Sequence, residues 1–270
     1  MDGSIVLGIA ALLTLLPAAV LPYSRRGYSE PQMGSVFWLL MLVAAVGPLV
    51  LDLGLTAETW RTGFSATLWT IISATMLLYL LVCLLSEAAR RLSGLLLPYL
   101  VILALIALVW SSVPGRPLEP GLVVGWLGVH IGLSLVTYAL VSLAAVASLA
   151  VWFRERALRA RKVSGWIEIL PAIADAEVLQ TRLLFASEIV LGAGLLTGMA
   201  TQFSANGSLI SLDHKTTLSI LTFCIIGLLL ILNVTSGLRG RRATRVVLMG
   251  YLSITLAYPG LKFVTDVIMA

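Results

Sequence analysis

The chain has 270 residues, of which 59% are hydrophobic and 11% are charged. A soluble globular domain is about half apolar and about one quarter charged, so this composition excludes an ordinary soluble protein and indicates a polytopic membrane protein. The formal net charge of +5 does not indicate a nucleic-acid partner, because basic residues in such a chain usually mark cytoplasmic loops.

Apolar runs long enough to cross a bilayer follow one another along almost the whole chain. They predict an all-α integral membrane helix bundle of about eight transmembrane helices, forming a single domain over residues 1–270. The fifth run is longer than a bilayer needs, which predicts that its helix tilts or extends into water at one end. The predicted spans are Ser4–Leu21, Val36–Leu55, Ser65–Leu85, Leu92–Trp110, Val124–Phe153, Leu183–Phe203, Thr216–Ser236 and Val246–Met269.

The basic residues predict how these helices are oriented. Most of the 18 Lys and Arg residues fall in alternate loops, which the positive-inside rule assigns to the cytoplasm. This pattern predicts that both termini lie on the outer side. The cytoplasmic set is Arg25, Arg26, Arg90, Arg91, Arg154, Arg156, Arg159, Arg161, Lys162, Arg182, Arg239, Arg241, Arg242 and Arg245, and the outer set is Arg61, Arg116, Lys215 and Lys262.

The longest predicted cytoplasmic linker covers residues 154–182 and is basic first, then mildly amphipathic. Four of its apolar residues have helical spacings, which predicts a helix lying on the membrane surface. Pro171 is expected to kink this helix or to start a second one. The linker is either a solvated connector with an interfacial anchor or a docking site for a cytoplasmic partner. The four apolar residues are Trp166, Ile169, Leu170 and Ile173.

The sequence contains two histidines, His130 and His214. In the predicted topology both lie on the outer side, His130 about one turn inside the fifth span and His214 at the mouth of the seventh. Two neutral imidazoles that face each other can hold a haem iron as an axial pair, which predicts haem b bound between them. The alternative is that His130 bonds a neighbouring helix and His214 is solvated. Zinc and copper are disfavoured, because no cysteine, third histidine or close carboxylate completes a ligand set.

Residues near the histidines complete a candidate haem-binding set. Polar residues recur every four positions from His130, through Ser134 and Tyr138, to Ser142, which predicts a stripe facing the bundle interior. Ser134 is expected to accept the proton of the His130 ring nitrogen that does not face the metal. Lys215 is expected to pair with a haem propionate. The candidate set is His130, His214, Ser134, Tyr138, Trp126 and Lys215, although interfacial anchoring also explains Trp126.

Four other polar residues lie inside predicted spans. Glu188 is expected to pair with a loop arginine, Lys262 to pair with Asp266 one helical turn away, and Asn233 to bridge two helices. The sequence has no Walker loop, GxSxG, HExxH or Rossmann fingerprint, so it is not expected to encode an enzyme.

Several stretches resemble a known family. Trp126-Leu127-Gly128-Val129-His130-Ile131, with Ser134 and Tyr138-Ala139, resembles the "WLxxHVxxxxxSYA" helix of the haem-handling cytochrome c assembly family of CcsA, ResC and CcmC type. The segments 213–219, 237–243 and 256–260 are similar to its short inner-membrane branch, which is HemX-like or YpjD-like. The resemblance implies that His130 matches an outer-face axial haem ligand. The chain departs from the larger members, because residues 202–212 contain no tryptophan and residues 262–270 contain no histidine.

These observations lead to one principal hypothesis and one alternative. The principal hypothesis is a bacterial inner-membrane protein that holds haem at its outer face and presents it to c-type cytochrome maturation proteins. The alternative is a regulatory or scaffold protein whose basic loops bind a cytoplasmic partner such as a haem-synthesis enzyme. A small-solute transporter is less favoured, because the chain has no inverted repeat.

Overall fold

The computed structural model describes residues 2–24, 34–56, 63–113, 126–161, 165–207 and 213–269. Within these ranges all regular structure is helical and there is no strand, which confirms the predicted all-α fold. Some of the basic residues used to predict orientation lie outside the described residues, namely Arg25, Arg26, Arg61, Arg116 and Lys162.

The helices follow the predicted spans closely, with some differences at their ends. They are α1 (Asp2–Val20), α2 (Ser35–Thr56), α3 (Phe64–Leu85), α4 (Glu87–Arg90), α5 (Ser93–Val109), α6 (Trp126–Arg159), α7 (Trp166–Ile169), α8 (Ile173–Asn206), α9 (His214–Ser236) and α10 (Gly240–Thr255). A 3₁₀ turn, Leu21–Tyr23, follows α1. The last helix continues beyond α10 through π-helical Leu256–Gly260, α11 (Leu261–Phe263) and π-helical Val264–Ile268.

The helices have the lengths that a bilayer requires. Among the described residues, seven helical segments are long and apolar enough to cross a membrane, and α5 is a shorter apolar helix of 17 residues. At 1.5 Å per residue α5 measures about 25 Å, close to the roughly 30 Å of the hydrocarbon core. The chain is therefore a multi-pass helical membrane protein, as its composition predicted.

The long helices pack as two groups of four. In the first group α1, α2, α3 and α5 form a ring in which each helix packs against two neighbours. In the second group α6 packs against α8 and α10, and α9 packs against the same two helices. Contacts between α3 and α6 join the groups. Because α6 and α9 pack little against each other, they occupy one diagonal of the second group.

Small side chains let α6 serve as the central helix. Ala144, Ala147 and Ala150 are fully buried, and such residues let neighbouring backbones approach closely within a membrane. By contrast, the outward side of α8 and α9 carries exposed leucines and isoleucines such as Leu196 and Ile231, as expected for surfaces that face lipid. α6 has 34 residues and measures about 51 Å, so it extends beyond the hydrocarbon core as predicted.

The structure corrects the predicted linker. α8 begins at Ile173 rather than at Leu183, because the polar residues in between are good helix formers that extend the helix past the hydrocarbon core. No continuous surface helix forms, since Leu170 is extended before Pro171 and α7 is a single turn. Leu170 is 1% exposed and packs inside the protein. Its carbonyl accepts a 2.6 Å hydrogen bond from the Arg154 guanidinium.

Candidate functional site

His130 lies in the second turn of α6 and its ring contacts α8. Its Nδ1 atom is 2.9 Å from the carbonyl oxygen of Gly194 and 3.5 Å from Oγ1 of Thr197. A carbonyl oxygen only accepts, so a neutral ring at this contact carries its proton on Nδ1. The lone pair of Nε2 then remains free to bind a metal ion.

One glycine on α8 makes room for this ring, and a second supplies its hydrogen-bond partner. A Cβ atom at Gly198 would lie 3.0 Å from Cε1 of His130 and 3.3 Å from Nδ1, which is closer than ordinary van der Waals contact. Gly194 lies one turn earlier and supplies the accepting carbonyl. The sequence analysis missed both residues. Their spacing, Gly-Leu-Leu-Thr-Gly, is the small-residue pattern that allows two membrane helices to approach closely, so a signal was present.

Ser134 does not have the role predicted for it. Its Oγ atom donates a 2.7 Å hydrogen bond to the backbone carbonyl of His130, one turn earlier in α6. The expected bond from the His130 ring goes to Gly194 instead. A serine hydroxyl in a helix readily donates to the carbonyl four residues before it, and this local bond directs the Oγ atom toward the backbone of α6.

Tyr138 points away from the histidine. Its hydroxyl lies 3.3 Å from Oγ1 of Thr255 and 3.4 Å from the hydroxyl of Tyr251, so it faces α10 rather than α8. Ser142 is buried and, in the described residues, its Oγ atom has no hydrogen-bond partner. The four residues of the predicted stripe lie on buried or half-buried sides of α6, as predicted, but they do not face one common site. A spacing of four residues drifts by about 40° per step on a helix with 3.6 residues per turn, so the stripe winds around α6.

The start of α9 brings a second set of polar residues to the same end of the bundle as His130. Asp213 caps the helix by accepting a 2.8 Å hydrogen bond from the amide of Thr216. Burial raises the pKa of Asp213, but the hydrogen bonds from Thr216 and nearby positive charges outweigh this effect and hold the pKa below its ordinary value. Lys215 Nζ lies 5.9 Å from the ring centroid of Tyr258.

The structure places part of the predicted set at one end of the bundle. His130 and His214 lie at the same end of the bundle, because His130 contacts the last third of α8 and His214 begins the helix that follows α8. They belong to the two diagonal helices, and His214 is exposed. Trp126 is 56% exposed at the first residue of α6, where an interfacial anchor is expected.

The remaining intramembrane polar residues gave mixed outcomes. Lys262 Nζ lies 3.7 Å from Asp266 Oδ2, which confirms the expected pair. Asn233 donates a 3.3 Å hydrogen bond to the carbonyl of Leu238, just after its own helix, so the predicted bridge between two helices is wrong. Glu188 packs against Gly227 of α9, and its Oε2 atom is buried without a hydrogen-bond partner in the described part of the chain. The arginine partner expected for Glu188 is not found among those residues.

The fold and this site define a class. The protein is a multi-pass helical membrane protein with a half-buried histidine at one end, and among the described residues only Nδ1 of its ring makes a hydrogen bond. The family model described as "Cytochrome C assembly protein" matches residues 33–269. The chain therefore belongs to the cytochrome c assembly protein family, and its role lies in cytochrome c biogenesis.

Relatives of two kinds accompany this match. The chain is 43% identical over 270 residues, 100% of both chains, to the "Uncharacterized 28.8 kDa protein in nifR3-like 5'region" of Azospirillum brasilense. It is 26% identical over 152 residues to "Cytochrome c biogenesis protein CcsA" of Chlamydomonas reinhardtii, covering 56% of this chain and 41% of that one. It is also 26% identical over 167 residues to the protein of the same name from Synechococcus sp. (strain CC9902), covering 54% and 55%. The alignments thus span about half the length of these CcsA relatives, and no solved structure matches the chain.

Proposed function

We propose that this protein holds haem b non-covalently at the outer face of a bacterial inner membrane and presents it to proteins that mature c-type cytochromes. His130 is the first axial ligand and His214 the second. The proposal is carried by the hydrogen bond of 2.9 Å between His130 Nδ1 and the Gly194 carbonyl, which leaves Nε2 as the free ligand atom. The protein acts by holding and presenting its cargo, not by catalysis.

The surroundings of His130 suit an axial ligand. A backbone carbonyl that accepts the Nδ1 proton fixes the tautomer and the ring orientation and increases the basicity of Nε2. Lys215 offers a positive charge to a propionate at the same end of the bundle. Trp126 offers an aromatic face at the membrane surface. Ser134 and Tyr138 do not contact the ligand in this proposal, because Ser134 bonds the backbone of α6 and Tyr138 bonds Thr255 on the last helix.

The two histidines are expected to contribute unequally. His130 is half-buried and held by α8, whereas His214 is exposed at the end of a helix and is free to turn. Bound haem supplies an iron with two open axial positions and an intense Soret absorption band. His130 is therefore expected to set haem affinity, and His214 to set whether the second axial position is filled.

The test is a haem titration of the purified protein in mild detergent, followed by the Soret band. His130→Ala is expected to weaken haem binding at least tenfold, while His214→Ala leaves binding but changes the spectrum from the six-coordinate to the five-coordinate type. Ser134→Ala is the matched control, because Ser134 bonds only the backbone and should leave the spectrum unchanged. A Soret band that survives replacement of both histidines would refute the proposal.

A second candidate function, a scaffold for a cytoplasmic partner, is favoured by one observation. The Arg154 guanidinium orders the segment after α6 by donating to the carbonyls of Leu170 and Glu168, and this leaves Trp166 39% exposed. Replacing Arg241 and Arg242 with Glu tests this role. A scaffold would lose a cytoplasmic partner in a pull-down while its haem spectrum stays unchanged, whereas a haem-presenting protein would lose neither.

A further inference from the structure

A cavity of about 360 Å³ with charged residues in its lining lies at the end of the second helix group opposite His130. It is bounded by the first turns of α8, the end of α9 and the start of α10. The histidine site does not account for it, and two of its lining residues, Arg182 and Arg239, belong to the basic set assigned above to the cytoplasm. Its lining residues include Glu177, Gln180, Arg182, Asn233, Arg239 and Gly240.

The cavity carries charges of both signs. The exposed residues Arg182 and Arg239 supply guanidinium groups, each able to donate several hydrogen bonds to an anion. Glu177 supplies a carboxylate whose Oε1 accepts a 3.0 Å hydrogen bond from the amide of Gly240. This bond occupies one of the two carboxylate oxygens and leaves the group negatively charged, so a cationic group can still pair with it.

One largely buried side chain in the lining adds neutral hydrogen-bonding groups. Gln180 is 4% exposed, and its amide carries both a donor and an acceptor. A molecule that brings polar atoms into the cavity can bond to this amide.

The position of the cavity indicates where that molecule comes from. The arginine-rich loops lie at this end, which the predicted topology assigns to the cytoplasmic leaflet. Basic pockets between membrane helices at this level suit lipid headgroups. Val178, which also lines the cavity, is 51% exposed, and Phe185 further along α8 is 61% exposed. An acyl chain can follow these side chains into the bilayer.

We infer that the cavity binds a phospholipid whose headgroup carries both a phosphate and a primary ammonium group, as phosphatidylethanolamine does. The phosphate pairs with Arg182 and Arg239, and the ammonium pairs with Glu177. Gln180 bonds the ester or phosphate oxygens. A trimethylated ammonium group has no N–H to donate, so phosphatidylcholine should bind more weakly.

The experiment measures lipid binding to the delipidated full-length protein by native mass spectrometry. Phosphatidylethanolamine, its mono-, di- and trimethylated forms, phosphatidylglycerol and soluble glycerophosphoethanolamine serve as probes. We expect the unmethylated lipid to bind at least tenfold more tightly than phosphatidylcholine, with the change occurring mainly at the third methyl group. Glycerophosphoethanolamine should bind at least tenfold more weakly than the intact lipid, because it has no acyl chains.

Two variants and a control connect this preference to the cavity. Arg239→Gln should weaken phosphatidylethanolamine binding at least fivefold. Arg245→Gln, which makes the same charge change on an exposed residue outside the lining, should change it less than twofold. Glu177→Gln keeps an acceptor for the Gly240 amide and should remove the preference over phosphatidylcholine without weakening the binding of phosphatidylglycerol, which is anionic.

Several results would overturn the inference. Equal affinity of the unmodified protein for phosphatidylethanolamine and phosphatidylcholine would do so without any variant. Equal effects of the Arg239 and Arg245 substitutions would show attraction to general surface charge. Glycerophosphoethanolamine binding as tightly as the intact lipid would assign the cavity to a soluble phosphate-containing molecule instead. None of these outcomes depends on haem binding.

Discussion

The contact between His130 and Gly198 allows a sharp test of helix packing. In Gly198→Ala the new Cβ would lie 3.0 Å from Cε1 of the ring, against 3.4–4 Å for an ordinary contact. The ring must therefore retreat by roughly 0.5 Å, which weakens its hydrogen bond to Gly194. The lost bond costs about 1 kcal/mol, and the overpacking costs about 1 kcal/mol or more.

The matched control is Gly132→Ala, on the exposed side of the same part of α6. A Cβ there would meet nothing within 4 Å. Replacing glycine with alanine inside a helix favours folding by about 0.5–1 kcal/mol, and Gly132→Ala should keep this gain. Gly198→Ala should be less stable than Gly132→Ala by about 2 kcal/mol. Thermal unfolding in detergent should show this as a difference on the order of 4–8 °C.

A double-mutant cycle shows whether the ring causes the difference. With His130→Ala as the background the clash is absent, so Gly198→Ala should become as favourable as Gly132→Ala. If the two alanine variants have equal stability while His130 is present, the packing of His130 against α8 described above is wrong.

The other predictions concern single hydrogen bonds and a pH dependence. Tyr251→Phe removes the 2.7 Å bond to the hydroxyl of Tyr99 and should cost about 1 kcal/mol in thermal unfolding; Tyr138→Phe removes only bonds of 3.3 Å or longer, so an equal or larger cost for it would contradict the geometry. Tyr79→Phe removes a fully buried 3.0 Å bond to the Ala89 carbonyl and should also cost about 1 kcal/mol, and an unchanged unfolding midpoint would argue against that bond. Asp213→Ala should cost about 1 kcal/mol at pH 7 through loss of the helix cap. Because folding lowers the pKa of Asp213, the difference in stability between the unmodified protein and Asp213→Ala should shrink as the pH falls below about 4. A difference in stability that grows at low pH would contradict this prediction.

Hydrophobicity predicted the membrane helices well because a bilayer imposes length and composition directly on the sequence. The long apolar run through α6 and the run through α9 were both recognised in this way. The start of α8 was missed, because polar residues such as Glu177, Gln180 and Arg182 interrupt the apolar pattern without ending the helix, and hydropathy marks where a helix enters lipid rather than where it begins.

The candidate site was harder to predict, because backbone hydrogen-bond acceptors and close helix contacts are not specified by residue type. His130 was identified from the cost of placing an imidazole in a membrane helix. The hydrogen-bond acceptor for its ring is the backbone carbonyl of Gly194. Every residue type has such a carbonyl, so the sequence did not distinguish it, and the prediction that Ser134 is the acceptor was wrong. Only the glycine spacing on α8 pointed to the helix that receives the ring. Asp213 was noted as part of a motif, yet its capping bond to Thr216 emerged from the structure.

The paired glycines on α8 also limit how this protein can move. Sliding α8 along α6 by one helical turn, about 5.4 Å, would in one direction bring Gln202 to the position of Gly198, where even an added Cβ would lie 3.0 Å from the ring. The imidazole therefore blocks a displacement of α8 in that direction. In the opposite direction Gly194 would replace Gly198 beneath the ring, so the spacing of the two glycines leaves only this direction open to a sliding movement.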